Sequence, residues 1–368
     1  MRIGILGGAF DPLHTEHVKI IERSLKVLNL ERVIVVPSFN PPHKHCKITP
    51  FEDRVNMLNA YFKDNPRVVI DTIEKELSLS NSYSYVIIKE LKKKYKGELF
   101  YIIGGDSMIK FKTWVYPEII SRDINLAVFK REGYVGLEEA IEHAKLNYDA
   151  NICAFDIDLR EVSSSECKAL LELDLPDKND IIPNVVEAYA KEHGLYREFT
   201  DIVNKLKMSL SDRLFNHCAR TAIYAVRYAN ACDVKFENAF IAGLLHDCAK
   251  GLPQLGVYEN EPEPIIHQFE GEIRARTEYN VDNESILRAI KYHTTGYEHI
   301  DNLGKLIYCA DKLEDSRNYD GIDYLRSELE KGIDYGYRAV LEHNISYLKL
   351  QGLEPHVLTK EAFNAIIK

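Results

Sequence analysis

The chain has 368 residues, enough for two domains that each bury a core. Its 57 acidic residues outnumber 47 Lys and Arg, for a net charge of −10; with no basic stripe, this argues against a nucleic-acid partner and leaves any anionic substrate to local cations. Seven scattered cysteines without a C-x-x-C pair suit free, mostly buried thiols, and the absence of a signal peptide or bilayer-length apolar run predicts a cytoplasmic protein without membrane association.

At the start of the chain Ile3, Ile5 and Leu6 read as a short buried strand that Gly7-Gly8 breaks. Apolar positions Val18, Ile21, Leu25 and Leu28 predict a helix after Thr15, with Asp11-Pro12 as the turn into it. Glycines at a strand's carboxyl end let backbone N–H groups approach a phosphate, and the helix start adds unpaired donors and a positive dipole end. His14 and His17, three apart, share a face once the helix has begun.

Strands at 32–36, 67–70, 99–103, 124–129 and 152–155 then alternate with helices at 51–62, 82–95 and 137–146. Such alternation implies a parallel sheet covered by helices, with ligands beyond the strands' carboxyl ends. From about residue 198 no strand is expected, only amphipathic helices at 212–231, 236–248, 283–292, 301–313 and 322–348. The expected domains are therefore 1–197, a Rossmann-like parallel α/β sheet, and 198–368, an all-α helical bundle.

The segment Gly7-Gly8-x-Phe10-Asp11-Pro12-x-His14-x-x-His17 resembles the signature of the nucleotidyltransferases that move an adenylyl group from ATP, with Glu16 where that family has glycine. Asn40-Pro41-Pro42-His43-Lys44 alone is a common surface loop. Beside the first motif it is similar to the P-P-H-K loop of bacterial nicotinate-nucleotide adenylyltransferases, which makes Lys44 a phosphate contact. Phe51-x-x-Arg54-x-x-Met57 continues the resemblance on a helix, where Phe51 and Met57 read as core.

Ser82-Tyr83-Ser84 reads plainly as a serine-capped helix start; in the family the matching backbone meets the nicotinate carboxylate. Gly104-Gly105-Asp106 resembles the family's G-x-D, with glycines admitting ATP and Asp106 on ribose or Mg²⁺. Trp114, the only tryptophan, reads as core by default and as a stacking partner of the pyridine ring by resemblance. Lys130-Arg131-Glu132-Gly133 is similar to the Arg-x-Gly turn, and Ser163-Ser164-Ser165 to the I-S-S-T segment, though Ser163 and Ser164 before an acidic turn also make an ordinary cap. Lys168 stands where the family has arginine, keeping the charge without the bidentate fork.

The second half carries His217, His246-Asp247, His267, His293 and Asp311, which match no zinc-finger spacing but fall on or near successive predicted helices. Imidazoles and carboxylates without thiolates favour Fe, Mn or Zn as a catalytic metal. The His-Asp pair after an apolar stretch resembles the HD phosphohydrolase signature, in which an aspartate can bridge two metals that activate water against a phosphoryl group. His217-x-x-Arg220, His246-Asp247-x-x-Lys250, His267-x-x-x-Gly271, His293-Thr294-Thr295-Gly296 and Asp311 through Arg317 look like the branch containing the symmetrical diadenosine tetraphosphate hydrolases.

These resemblances imply a bifunctional enzyme. One half transfers AMP from ATP to nicotinate mononucleotide with Mg²⁺, using His14, His17, Lys44 and Lys168 on the developing charge. Gly7, Gly8, Phe10, Asp11, Arg54, Ser82, Tyr83, Ser84, Gly104, Asp106, Trp114, Arg131, Ser164 and Ser165 would line its substrates. The other half hydrolyses a dinucleoside polyphosphate with one or two transition metals, iron first, held by His217, His246, Asp247, His267, His293 and Asp311. Asp247 and Lys250 would act in catalysis, with Lys250, Arg220 and Arg317 on phosphates. A homo-oligomer is compatible with this reading. Open alternatives are another acceptor, such as nicotinamide mononucleotide or phosphopantetheine (against which the Pro-Pro-His-Lys loop and Ser-Tyr-Ser segment argue), a guanosine polyphosphate as second substrate, and a first half weakened to a nucleotide sensor regulating the HD domain.

Overall fold

A computed structural model describes residues 1–40, 47–77, 83–130, 135–160, 162–175, 178 and 180–367. The chain forms two compact units, Met1–Cys167 with Pro176–Leu195, and Lys168–Leu175 with Tyr196–Lys368. The sequence suggested a single break near 198, whereas the chain passes between the units at three points.

In the first unit the order is β1 (Arg2–Gly8), α1 (Thr15–Val27), β2 (Arg32–Pro37), α2 (Phe51–Phe62), β3 (Val68–Ile70), α3 (Ile73–Glu76), α4 (Ser84–Lys94), β4 (Glu98–Gly104), α5 (Gly105–Ile109), α6 (Pro117–Asp123), β5 (Asn125–Lys130), α7 (Leu137–Tyr148) and β6 (Ile152–Asp156). Helix α8 (Ser164–Leu173) follows, then α9 (Asn184–Glu192). The six strands are all parallel, in the order β3-β2-β1-β4-β5-β6. The connection therefore reverses between β1 and β4, and the crevice at the carboxyl ends of those two strands is where such sheets take ligands. Both faces are covered, so Ile3, Ile5, Val33, Ile34 and Val35 have no exposed surface.

The alternation was legible, with two differences. β1 runs through Gly7 and Gly8, which pair with Val36 and Pro37, so the parallel ladder continues past the glycines expected to break it. Helix α4 begins at Ser84 with Tyr83 as its N-cap and no side-chain capping bond, so Ser84 is not the capping serine. The reading at 163–166 does hold: Ser163 Oγ accepts from Glu166 N at 3.2 Å while Glu166 Oε2 accepts from Ser163 N at 2.9 Å.

In the second unit α10 (Thr200–Ser209) precedes α11 (Asp212–Ala229), α12 (Phe236–Leu245), α13 (Glu263–Glu278), α14 (Glu284–Lys291), α15 (Asn302–Leu313), α16 (Ile322–Lys331), α17 (Ile333–Leu350) and α18 (Val357–Ile367). Leu244, Leu245, Ile290, Leu306, Ile307 and Leu341 have no exposed surface and anchor one apolar core. The expected helix at 322–348 is two, because Gly332 takes φ 146° and breaks the ladder. α13 was absent from the expectation because its buried face includes Gln268, Glu270 and Gly271, which blur the apolar period. No helix among the described residues is long and apolar enough to cross a membrane.

Candidate functional site

In the first unit the strand-to-helix turn puts His14 at the N-cap of α1 and His17 on its first turn, with ring centroids stacked at 3.7 Å. Phe10, at φ 48°, packs its ring 4.9 Å from that of His17. Glu16 faces no triphosphate: it is 1% exposed, 2.8 Å from Lys19 Nζ, and accepts from Arg160 N at 2.9 Å. Its charge is therefore satisfied within the fold.

Two of the residues expected to touch substrate also hold the loop. Arg54 is 1% exposed and donates to the carbonyls of Ala9 at 2.7 Å and Thr49 at 3.0 Å, so its fork is spent on backbone. Asp11 is fully buried and accepts from Thr49 N at 3.3 Å. Phe51 and Met57 are core as expected.

Across the crevice, Tyr101 on β4 donates to Ser84 Oγ at 3.3 Å and meets the Trp114 ring edge-on at 6.3 Å. A Cβ at Gly7 would lie 3.4 Å from the Tyr101 hydroxyl. Gly7, Ser84 and Trp114 thus surround one phenol, and Trp114 is only half-buried, with Tyr83 exposed nearby in sequence. Sequence reasoning missed Tyr101; its signal is a polar-tipped aromatic in an otherwise apolar strand end. Gly104 caps α5 and Asp106 is exposed on that first turn. Ser164 and Ser165 open α8, while Lys168 belongs to the second unit, is 6% exposed and lies 6.0 Å over the Tyr196 ring. Lys44, Ser82 and Arg131 lie outside the described residues.

In the second unit the six expected ligands converge. Helices α11 and α12 touch closely: a Cβ on Gly243 would fall 2.7 Å from Ala222 Cα. That approach brings His246 Nε2 to 3.2 Å from His217 Nε2. Asp311 Oδ1 on α15 is 2.9 Å from His217 Nε2 and 3.7 Å from His246 Nε2, with Asp247 Oδ2 3.6 Å from His246 Nε2. On the other side Asp247 Oδ1 is 3.2 Å from His267 Nε2 and 3.3 Å from His293 Nε2, which are themselves 3.2 Å apart. Gly243→Val should overpack a backbone contact and cost about 1–3 kcal/mol. A thermal melt unchanged by that substitution would show that the helices are not held at this distance.

The ring orientations are fixed from behind. His246 Nδ1 is 2.7 Å from the Gly243 carbonyl and His293 Nδ1 2.8 Å from the Ile290 carbonyl. A carbonyl only accepts, so Nδ1 carries the proton and Nε2 turns a lone pair inward. Burial pushes His293 down to about 4, keeping it neutral. Burial alone would raise Asp247, but His246, His267 and His293 hold it well below the usual carboxylate range. Burial would lower His217, yet Asp311 and Glu314 carry it above its ordinary value. Glu314, 1% exposed and 3.3 Å from His217 Nδ1, orients that ring and was missed by sequence reasoning.

His246 and His293 thus each turn an acceptor nitrogen into the cluster, 3.2 Å from Nε2 of His217 and of His267 respectively. Asp247 Oδ1, fully buried, accepts no aligned hydrogen bond from either neighbouring histidine. The donor set therefore fits metal ions: Asp247 belongs to two of three overlapping groups, one with His217 and His246 and one with His267 and His293, while His246, His293 and Asp311 make the third. Beside it opens a cleft of about 470 Å³, lined by Arg213, Arg220, Lys250 and Arg317 among others. Lys250 Nζ is 2.8 Å from Asp247 Oδ2, and Arg317 Nη2 3.0 Å from Asp311 Oδ1. Arg213 is an addition to the expected cations; its spacing of four from His217 was the available signal.

Residues 5–170 match the Cytidylyltransferase-like family and residues 214–315 the HD domain. A protein of Mycoplasma genitalium named probable nicotinate-nucleotide adenylyltransferase/Ap4A hydrolase is 26% identical over 87% of this chain and 89% of its own length. A probable nicotinate-nucleotide adenylyltransferase of Thermotoga petrophila is 38% identical over 45% of this chain and 84% of its own. A solved structure from Clostridium acetobutylicum, titled a predicted HD superfamily hydrolase involved in NAD metabolism, is 31% identical over 46% of this chain and 97% of its own, with a TM-score of 0.43. Through its first half the chain belongs to the nicotinate-nucleotide adenylyltransferase family, and it carries an HD domain in the same polypeptide.

Proposed function

We propose that the chain is a bifunctional nucleotide enzyme. The first half joins ATP and nicotinate mononucleotide into nicotinate adenine dinucleotide and pyrophosphate; the second hydrolyses diadenosine tetraphosphate into two ADP. The names of the full-length relative and of the adenylyltransferases support the substrates. A reducing cytoplasm suits both, since Cys218, Cys232, Cys248 and Cys309 are buried free thiols.

In the first half the mononucleotide's phosphate attacks the α-phosphorus in line and pyrophosphate leaves from the opposite side. The paired imidazoles of His14 and His17 stand at the start of α1, where the positive end of the helix dipole favours the same developing charge. Asp106 would help hold the Mg²⁺ that accompanies ATP, and Lys44 is the proposed phosphate cation. Gly7, Ser84 and Trp114 around Tyr101 form the proposed floor of the pyridine site. The satisfied charge of Glu16 favours an active transferase over a weakened sensor.

In the second half, His217, His246, Asp247 Oδ2 and Asp311 would hold one ion, and Asp247 Oδ1, His267 and His293 the other. Bound there, iron or a similar divalent metal supplies Lewis acidity and an activated water. Arg213, Arg220, Lys250 and Arg317 line the cleft where a tetraphosphate would bind, and their charge opposes its own. Water adds to an inner phosphorus, the bridging P–O bond breaks, and one ADP leaves while the other carries the added oxygen. The observation that carries this half is Asp247, buried between two ligand groups with one oxygen unsatisfied.

Because the ligands come from five helical segments, the ions should also hold the bundle together. At a hundredfold excess over Kd one bound ion contributes about 2.7 kcal/mol. Chelation should therefore lower the melting temperature of the second unit and abolish hydrolysis, and added metal should restore both. A melt and an activity indifferent to chelator would remove the metal from the account.

A further inference from the structure

Gln268 follows His267 on α13 and has no exposed surface. A buried amide is costly unless paired, and this one is paired at both ends. Its Oε1 accepts from Thr294 N at 3.1 Å and from Thr295 N at 3.2 Å, while Nε2 donates to Thr295 Oγ1 at 3.1 Å. Thr295, 2% exposed, passes its own proton to the Gly296 carbonyl at 3.0 Å.

Those bonds join two elements that each carry a ligand. The turn 293–296 follows α14 and begins with His293, whose carbonyl accepts from Lys312 Nζ of α15 at 3.0 Å. Gly296 takes φ 68°, and a Cβ there would meet the Tyr337 hydroxyl of α17 at 2.5 Å. The turn is therefore held by Lys312 on one side, closed by Tyr337 on another, and fixed to α13 by Gln268. Within it Thr294 Oγ1 lies 3.0 Å from His293 Nε2 and 3.4 Å from His267 Nε2.

The geometry points to Gln268 as a positioning residue that sets the spacing of the His267 and His293 imidazoles, and so the affinity of the ion they share with Asp247. The inference rests on the two-ion reading above. Gln268 touches neither ion nor substrate; it acts by holding His293 in register with its own helix. Without it the amides of Thr294 and Thr295 must seek other partners, and His293 moves with them.

Titration of the metal-stripped full chain with Mn²⁺, counting bound equivalents, tests this. The near-isosteric Gln268→Met should stay folded by circular dichroism, keep one equivalent, and bind the second ten- to a hundredfold more weakly than wild type. Gln268→Glu retains the acceptor for both amides, with Thr295 turning its hydroxyl to donate, and should keep two equivalents. Wild-type affinity for both ions in Gln268→Met would overturn the role of Gln268 alone, as would an equal loss in Gln268→Glu. Should Gln268→Met not fold, Gln268→Asn, which withdraws the amide by one methylene, decides by the same criterion. A wild-type chain holding fewer than two equivalents overturns both this inference and the two-ion reading.

Discussion

Asp247→Ala should reduce hydrolysis of diadenosine tetraphosphate to background while adenylyl transfer continues at the wild-type rate. Asp247 supplies an oxygen to each ligand group, 3.6 Å from His246 on one side and 3.2 Å from His267 on the other. Its removal leaves each group short of an anionic donor, so metal content should fall from two equivalents to one or none. It also strips Lys250 of its 2.8 Å partner inside the cleft. Breaking a buried charge cluster by deleting one member costs about 3–5 kcal/mol, so the melting temperature should drop as well. Asp247→Asn, which keeps the shape, separates these effects: it should fold better than the alanine variant and remain inactive. Hydrolysis surviving in both variants would contradict the assignment, and a parallel fall in adenylyl transfer would contradict the independence of the two activities.

His17→Ala should lower kcat for adenylyl transfer on the order of a hundredfold, the usual cost of one lost charge-stabilising donor. The ring is half-buried on the first turn of α1, stacked on His14 and packed against Phe10, and its Nδ1 accepts from His14 N at 3.4 Å, so its removal also costs the capping box one of its two bonds while the His14 half remains. The loss should therefore appear in kcat rather than in the KM for ATP, because the contact forms as charge develops. Hydrolysis in the second half should be unaffected. An unchanged kcat with a raised KM would make His17 a ground-state binding group.

What could be read in advance follows from how each feature writes itself into sequence. The central strands β1, β2, β4 and β5 are buried on both faces, so they show as short apolar runs, and β2, β4 and β5 fall within a residue or two of expectation. The six candidate HD ligands, which the fold brings together, were conspicuous in sequence because histidines and aspartates carry recognisable chemistry. The residues that aim them were not. Glu314 and Gln268 are ordinary polar residues whose roles exist only once α11 meets α15 and α13 meets the turn after α14. Arg54, expected along the substrates, is also a buried guanidinium tying two loop carbonyls, a role that a single arginine in sequence does not announce. Helix α13 escaped notice because it buries polar groups toward the site, which is where a binding site breaks amphipathic patterning.

The most direct test of two chemistries in one chain is product analysis on a single purified preparation. Offered ATP, nicotinate mononucleotide and Mg²⁺, it should release pyrophosphate and nicotinate adenine dinucleotide. Offered diadenosine tetraphosphate with Fe²⁺ or Mn²⁺, it should release ADP alone. ATP together with AMP from the second substrate, or no dinucleotide from the first, would contradict the account.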